Sequence, residues 1–330
     1  MIFKVVFLML LLVTTCVHTS ELTKRVLFTP KNIDVTPRII RGEATEFNEF
    51  RFYARLLMTD YESFYSHLCG ATLLSDQYVL TAAHCVDMGM DIDNLAIVVD
   101  NIYFSNVNQF ELKSIDSIYI HPDYNPDGSV NDIAIIKLSS KLTENVEFIS
   151  IPTDDDKLYY EQLATMSVTG LGFTDNNSTL SNRLLTTEVT LLSDSECSSL
   201  VEFYFAQNFI ANNALCVIPS YGNGACNGDS GGPLTYIDGD GIKRQAGLVS
   251  YGAATCALQD VPNVYTELHG YKEWIADTMN AISTNKTLTN SNSETPKKSK
   301  SGGGGSTDGL LIVLFYVAIY RFKCRLASLK

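Results

Sequence analysis

Along the middle of the chain, short apolar or alternating runs are broken every few residues by turn-forming residues. Tyr78-Val79-Leu80, Leu95 to Val99, Ile115 to Ile120, Ile133 to Leu138, Met166 to Val168, Glu188 to Leu192 and Gln245 to Ser250 are such runs. His121-Pro122-Asp123 and Asn125-Pro126-Asp127-Gly128 punctuate them. Runs this short, rich in β-branched residues and bounded by Pro, Gly, Asn and Asp, predict strands and an all-β class. One stretch departs from this pattern: Tyr271 to Ile282 repeats at helical spacing through Trp274, Ile275, Thr278 and Met279, which predicts a closing helix.

The two ends follow other rules. Residues 1–20 carry a single early cation, Lys4, and then the apolar run Val5 to Val13, the pattern of a secretory signal peptide. Cleavage at Thr19, with Val17 at minus three, or at Ser20 both fit, and the leader removes Cys16. A membrane anchor is the competing reading, but the apolar run is shorter than the roughly 20 residues that a span needs. Residues 21–38 are short, mixed in charge and free of cysteine. Residues 283–309 turn to Ser, Thr, Asn, Lys and the run Gly302 to Gly305, a flexible linker. Residues 310–330 form an apolar and then basic tail, Leu310 to Tyr320 followed by Arg321-Phe322-Lys323-Cys324-Arg325. A helix of that apolar length covers about 16 Å, against the ~30 Å of a hydrocarbon core. Small residues, a polar spacer and an apolar tail also fit a lipid-anchor signal, which the basic end does not. A soluble secreted protein and one tethered to the outer cell surface by this tail both remain open.

Composition excludes some classes. A formal net charge of -13 and a pI near 4.8 argue against nucleic acid or an anionic membrane surface as partner. No internal repeat, phosphate loop or calcium loop is apparent, and no cofactor or metal is expected. Of the eight cysteines, seven outlast the leader, and in a secreted chain they imply disulfides. Zinc is the alternative, disfavoured because no Cys-x-x-Cys pair occurs. Asn176, Asn177 and Asn285 open glycosylation sequons.

The candidate chemistry begins at Gly228-Asp229-Ser230-Gly231-Gly232-Pro233. A serine between glycines, directly after a carboxylate, suggests a nucleophile on a tight loop whose backbone N–H groups converge on one spot; a turn of small polar residues is the plainer reading. A serine hydroxyl needs a base and a group that orients the base. Five histidines are present. His18 lies in the leader, His67 precedes Cys69, His121 precedes a proline and His269 lies near the closing helix; His84, in Thr81-Ala82-Ala83-His84-Cys85, remains. Asp132, at the head of the run Ile133 to Leu138, is the candidate carboxylate, although an Asp before a strand is more often a turn residue.

In their order and local settings, His84, Asp132 and Ser230 resemble the triad of the chymotrypsin-like (trypsin-fold) serine proteases, over about residues 39–282. The resemblance implies two six-stranded antiparallel β-barrels packed side by side, the triad in the crevice between them, and a C-terminal α-helix. It implies disulfides Cys69–Cys85, Cys197–Cys216 and Cys226–Cys256, with Cys324 left over, and an oxyanion hole from the N–H groups of Gly228 and Ser230. It also makes residues 21–38 a propeptide. Cleavage after Arg38 by a trypsin-like protease would free the Ile39 ammonium to pair with Asp229, since a buried carboxylate needs a partner. Arg41 stands where the family usually has a smaller or polar residue, and Leu171 of Gly170-Leu171-Gly172 where an aromatic is frequent, which leaves the local packing open.

By the same resemblance Gly224, flanked by Ala225, is the floor of the specificity pocket, and Ser250, Tyr251, Gly252 and Asn263 are its walls. The floor lacks the acid that attracts Lys or Arg. Glycines at floor and wall suggest cleavage after large apolar or aromatic residues, with an elastase-like taste for smaller ones as the alternative. The expected protein is therefore a secreted serine endopeptidase made as a zymogen, with protein or peptide substrates and protein inhibitors as possible partners. A protease-fold binding protein that has lost catalysis is the reading from another class, but such a chain is expected to lack a triad member or the activation site, and this one has both.

Overall fold

The protein is described from a computed structural model over residues 42–59, 65–99, 112–163, 165–174, 180–207, 213–219 and 223–284. The expected leader, propeptide, Ile39, linker, apolar tail and sequon asparagines lie outside these residues. The fold falls within one compact unit, Met1–Ala281; of the second unit, Ile282–Lys330, only the end of a helix is described.

A short strand, β1 (Glu43–Ala44), leads into β2 (Tyr53–Thr59), β3 (Tyr65–Leu73), β4 (Tyr78–Thr81), β5 (Leu95–Val99), β6 (Lys113–Ile120) and β7 (Ala134–Leu138). Strands β2 to β7 close into an antiparallel barrel in the order β2-β3-β4-β7-β6-β5. Leu56, Ala71, Val79, Ile97, Ile136 and Leu138 are fully buried in its core. Those residues explain why the runs form strands: alternate side chains of a pleated strand share a face, and the faces that carry them turn inward.

The second barrel consists of β8 (Thr165–Gly170), β9 (Leu185–Leu191), β10 (Ala214–Pro219), β11 (Pro233–Ile237), β12 (Lys243–Tyr251) and β13 (Asn263–Glu267). Their order is β9-β10-β13-β12-β11-β8, and β8 pairs back with β9, so this ring of six also closes. Along β9, Leu185 and Val189 are fully buried while Glu188 and Thr190 are exposed, the alternation of a one-sided strand. Strand β1 pairs with β9, so the segment entering the first barrel is first fastened to the second. The expected architecture is thus the observed one.

Two helices join the picture that strand-like runs did not reveal, α1 (Asp154–Tyr160) and α2 (Asp194–Phe205). Both carry a capping box: Thr153 with Asp156, and Ser193 with Glu196, each side chain bonded to the other's backbone N–H. The expected closing helix is α3 (Lys272–Thr284), entered through a 3-10 turn at Leu268–Tyr271. It docks through buried Ile275, and Trp274 packs on His121 with ring centroids 5.1 Å apart. Leu171 is fully buried beside Phe50, Phe52, Tyr53, Ile149 and Leu184, so an aliphatic side chain fills its site. The three disulfides pair as the resemblance implied, Cys69–Cys85, Cys197–Cys216 and Cys226–Cys256.

Removing a cap hydroxyl exposes orphan N–H groups of the first helical turn. Ser193→Ala should therefore cost about 1 kcal/mol of unfolding free energy in a denaturant titration, and Ser193→Asp should restore most of it.

Candidate active site

The orienting carboxylate is assembled where β7 begins. Asn131 adopts a left-handed backbone, φ 55°, a conformation that asparagine tolerates better than most residues. Its Oδ1 accepts from Tyr271 Oη at 2.8 Å and from Asn213 Nδ2 at 3.3 Å. This turn delivers Asp132 fully buried. Its Oδ1 accepts from the His84 backbone N–H at 2.9 Å, and its Oδ2 from His84 Nδ1 at 2.7 Å and Ser250 Oγ at 2.6 Å. Its own carbonyl accepts from Thr266 Oγ1 at 2.9 Å. A buried carboxylate held by three donors is satisfied as an anion, as burial of a charge requires. Nδ1 then carries the proton and Nε2 of His84 is left as the acceptor nitrogen. The imidazole itself is one-third exposed, on a 3-10 turn at Ala83–Cys85 directly after β4.

Ser230 arrives from the second barrel. The Gly70 N–H donates to the Ser230 carbonyl at 2.8 Å, and Gly231 N–H donates to Val249 at 2.8 Å. The approach is so close that a Cβ on Gly231 would stand 2.2 Å from Thr81 Oγ1, and one on Gly70 2.8 Å from Gly232 Cα. Side chains at these positions would push the barrels apart. The serine therefore sits against the end of β4 that leads to His84, and it lines one cavity with Ser250, the donor to Asp132. His84 and Asp132 are hydrogen-bonded; Ser230 Oγ makes no hydrogen bond to His84 among the described residues, and Nε2 lies 3.7 Å from Cys85 Sγ. The Cys69, His84 and Cys85 donors cluster, but both sulfurs are committed to the Cys69–Cys85 disulfide and offer no thiolate to a metal.

The loop before Ser230 has a stretched, positive-φ turn at Gly228, φ 93°. The N–H groups of Gly228 and Ser230 donate to no acceptor among the described residues. Opposite them, His67 Nε2 donates to the Gly228 carbonyl at 2.8 Å. Burial, with Arg55 nearby, pushes the His67 imidazole down to about 4, so it is neutral at pH 7. Sequence reasoning passed over His67. Its signal was its place two residues before Cys69 in a β3 register that faces the Ser230 loop. Ser250, expected as a pocket wall, proves to hold Asp132 as well.

Asp229 is wholly buried behind the loop, where its oxygens accept from Gly172 N–H at 2.7 Å and Cys226 N–H at 2.8 Å. A Cβ on Gly170 would stand 2.0 Å from its Oδ1, and one on Gly172 2.6 Å from its Cγ. The two glycines around Leu171 are therefore the socket of this carboxyl.

Family comparison bears on the whole arrangement. The sequence model of the trypsin family, described as Trypsin, matches residues 39–275. The chain belongs to the trypsin family. It is 33% identical over 220 residues to fibrinolytic enzyme, isozyme C, of Lumbricus rubellus, covering 64% of this chain and 89% of that protein. It is 32% identical over 243 residues to trypsin-1 of Astacus astacus, covering 72% of this chain and 98% of the relative. It is also 32% identical over 252 residues to protein masquerade of Drosophila melanogaster, covering 72% of this chain but 23% of that longer protein. This trypsin-family protein is a serine endopeptidase, a hydrolase acting on protein or peptide substrates.

Beside Ser230 lies a cavity of about 110 Å³ lined by Ala225, Ser250, Tyr251, Gly252, Asn263 and the Cys226–Cys256 disulfide. Tyr251 is steadied edge-on by Phe205, with centroids 5.5 Å apart. Gly224, expected as the floor, is not among the lining residues. A Cβ on Gly252 would lie 2.1 Å from Asn263 Nδ2 and one on Gly224 3.4 Å from Asn263 Oδ1. The Asn263 amide thus spans the slot between the two glycines, in front of Gly224.

Burial pushes the Asp229 carboxyl up to about 7 from 3.8, against the pull of its two N–H donors. A carboxyl raised in the folded state stays protonated while the unfolded chain ionises, so its contribution to stability falls as pH rises from about 4 to 7. In the uncleaved chain, Asp229→Asn should lack this decline. Urea midpoints at pH 4, 5.5 and 7 should shift in the variant's favour with rising pH; a constant difference would contradict the placement.

Proposed function

We propose that the protein is a secreted zymogen in which Ser230, His84 and Asp132 perform acyl transfer once the bond after Arg38 is cut. The observation that supports this most is the buried Asp132 carboxylate, which fixes the His84 tautomer beside the seam where the Ser230 loop touches the first barrel. Ser230 Oγ attacks the peptide carbonyl as Nε2 of His84 takes its proton, and the imidazolium, stabilised by Asp132, then protonates the leaving amine. Water repeats the sequence on the acyl-enzyme. In unliganded sites such contacts are often loose and tighten only around the substrate, and the His84–Ser230 contact is of that kind. The unused N–H groups of Gly228 and Ser230 are the donors that meet the developing oxyanion, a contribution of about 3 kcal/mol for one such donor.

Activation follows from Asp229. A buried carboxyl whose ionisation is resisted by burial gains a partner if the Ile39 ammonium, freed by a trypsin-like protease, reaches it. The apolar leader of residues 1–20 and three disulfides support secretion. Protein inhibitors would compete for the same crevice, and residues 310–330 are the segment through which an extracellular tether would act. Among the described residues no helix is long and apolar enough to cross a membrane.

For the pocket, the absence of a carboxylate at Gly224 speaks against cleavage after Lys or Arg. Of the two remaining classes, the Asn263 amide standing across the slot favours the shorter side chains over the large aromatic ones. In peptide anilides differing only in the residue before the scissile bond, alanine- or valine-type residues should outrun phenylalanine by about tenfold or more, tenfold being the low end for a single methylene in a pocket; fast cleavage after Arg would refute this assignment of the pocket.

After cleavage at Arg38, a fluorophosphonate probe should label the wild-type protein stoichiometrically and Ser230→Ala not at all. Persistent labelling of the variant would place the nucleophile elsewhere. Arg38→Gln should leave a folded chain that trypsin cannot switch on, and full activity in that variant would remove the zymogen step.

A further inference from the structure

Asn263 brings more than bulk to the pocket. Its Oδ1 is buried against Gly224 and accepts no hydrogen bond among the described residues. Its Nδ2 lies on the Gly252 side, and the residue lines the cavity that Ser230 opens into. A carboxamide oxygen buried without a donor is costly, by ~1–3 kcal/mol, and folds seldom keep one without a use. The described lining of the cavity contains no Asp or Glu, so what it presents to an incoming side chain is a neutral polar group at its inner end. The last torsion of an asparagine is soft. Rotation about it would turn the oxygen from Gly224 toward the cavity.

We propose that Asn263 is a specificity-determining residue that selects, among side chains short enough to enter, those bearing a neutral hydrogen-bond donor: the hydroxyl of Thr or Ser, or the carboxamide of Asn. The inference rests on the proteolytic reading of this cavity and adds polarity to the size limit. An apolar side chain of equal shape displaces whatever water serves the amide and returns no hydrogen bond. A donor restores it. Discrimination of this kind is larger than that between apolar side chains differing by a methylene, because the penalty falls on an unpaired group of the protein. A charged ammonium gains less, since its desolvation is met by an amide dipole and not by a counter-charge.

The test uses the full-length protein after cleavage at Arg38, with active sites counted by fluorophosphonate labelling. Peptides are matched in every position but the one before the scissile bond, where Thr is compared with Val, and Asn with Leu. The wild type should show kcat/KM for Thr about fivefold to tenfold above Val, and Asn263→Leu, compared per labelled active site, should bring that ratio to one or below. If Asn263→Leu fails to fold, Asn263→Asp keeps the shape and should acquire cleavage after Lys, which places the side chain's end within reach of the substrate. Val cleaved as fast as Thr by fully labelled wild type overturns the selection and leaves the protease assignment standing. Neither labelling nor hydrolysis of any peptide overturns the assignment itself, and the selection with it.

Discussion

The structure depends on one backbone contact between the two barrels, the Gly70 N–H donating to the Ser230 carbonyl. Around it Gly70, Gly231 and Gly232 let main chain lie against main chain, with Thr81 Oγ1 bonded to the Gly70 carbonyl in the same seam. This hydrogen bond ties β3 of one barrel directly to the turn before β11 of the other. It places the serine loop of one barrel a fixed step from the β4 end that carries His84 on the other.

Everything else at the site supports that seam from one side or the other. The buried Asp132 draws together His84, Ser250 and Thr266, so the first barrel's β7 and the second barrel's β12 and β13 meet on a single residue. His67, from β3, reaches across to the Gly228 carbonyl and holds the loop from the first barrel. Behind the loop, Asp229 occupies a socket that only glycines at 170 and 172 leave open. Burial in that socket raises its affinity for a proton.

The pocket illustrates how one side chain changes the meaning of its neighbours. Gly252 and Gly224 would leave a deep apolar slot by themselves. Asn263 fills the space between them and moves the inner end of the cavity forward, from a bare backbone to a carboxamide. This asparagine lies on β13, far along the chain from the nucleophile.

Much of this was legible in the sequence. Strand runs such as Leu95 to Val99 fell where β5 lies, because a short apolar run bounded by turn residues is a local signal, and the settings of His84, Asp132 and Ser230 are each short enough to be read in a line. The disulfide pairs came through resemblance, not from spacing. The helices α1 and α2 were less visible because their buried residues are few, Tyr160 in one and Cys197 and Val201 in the other, although their capping boxes were present to be read. The chain by itself determined the all-β class and the chemistry on offer, since these follow from local run length and residue type, whereas the two barrels and the uncharged floor at Gly224 were what the resemblance implied. Tertiary structure alone decided that His67 steadies Gly228, that Ser250 serves Asp132, and that the Asn263 amide lies against Gly224 and Gly252. Those are contacts across 161, 118 and 39 residues of chain, and no local pattern carries the direction in which a side chain will point once two barrels have closed around it.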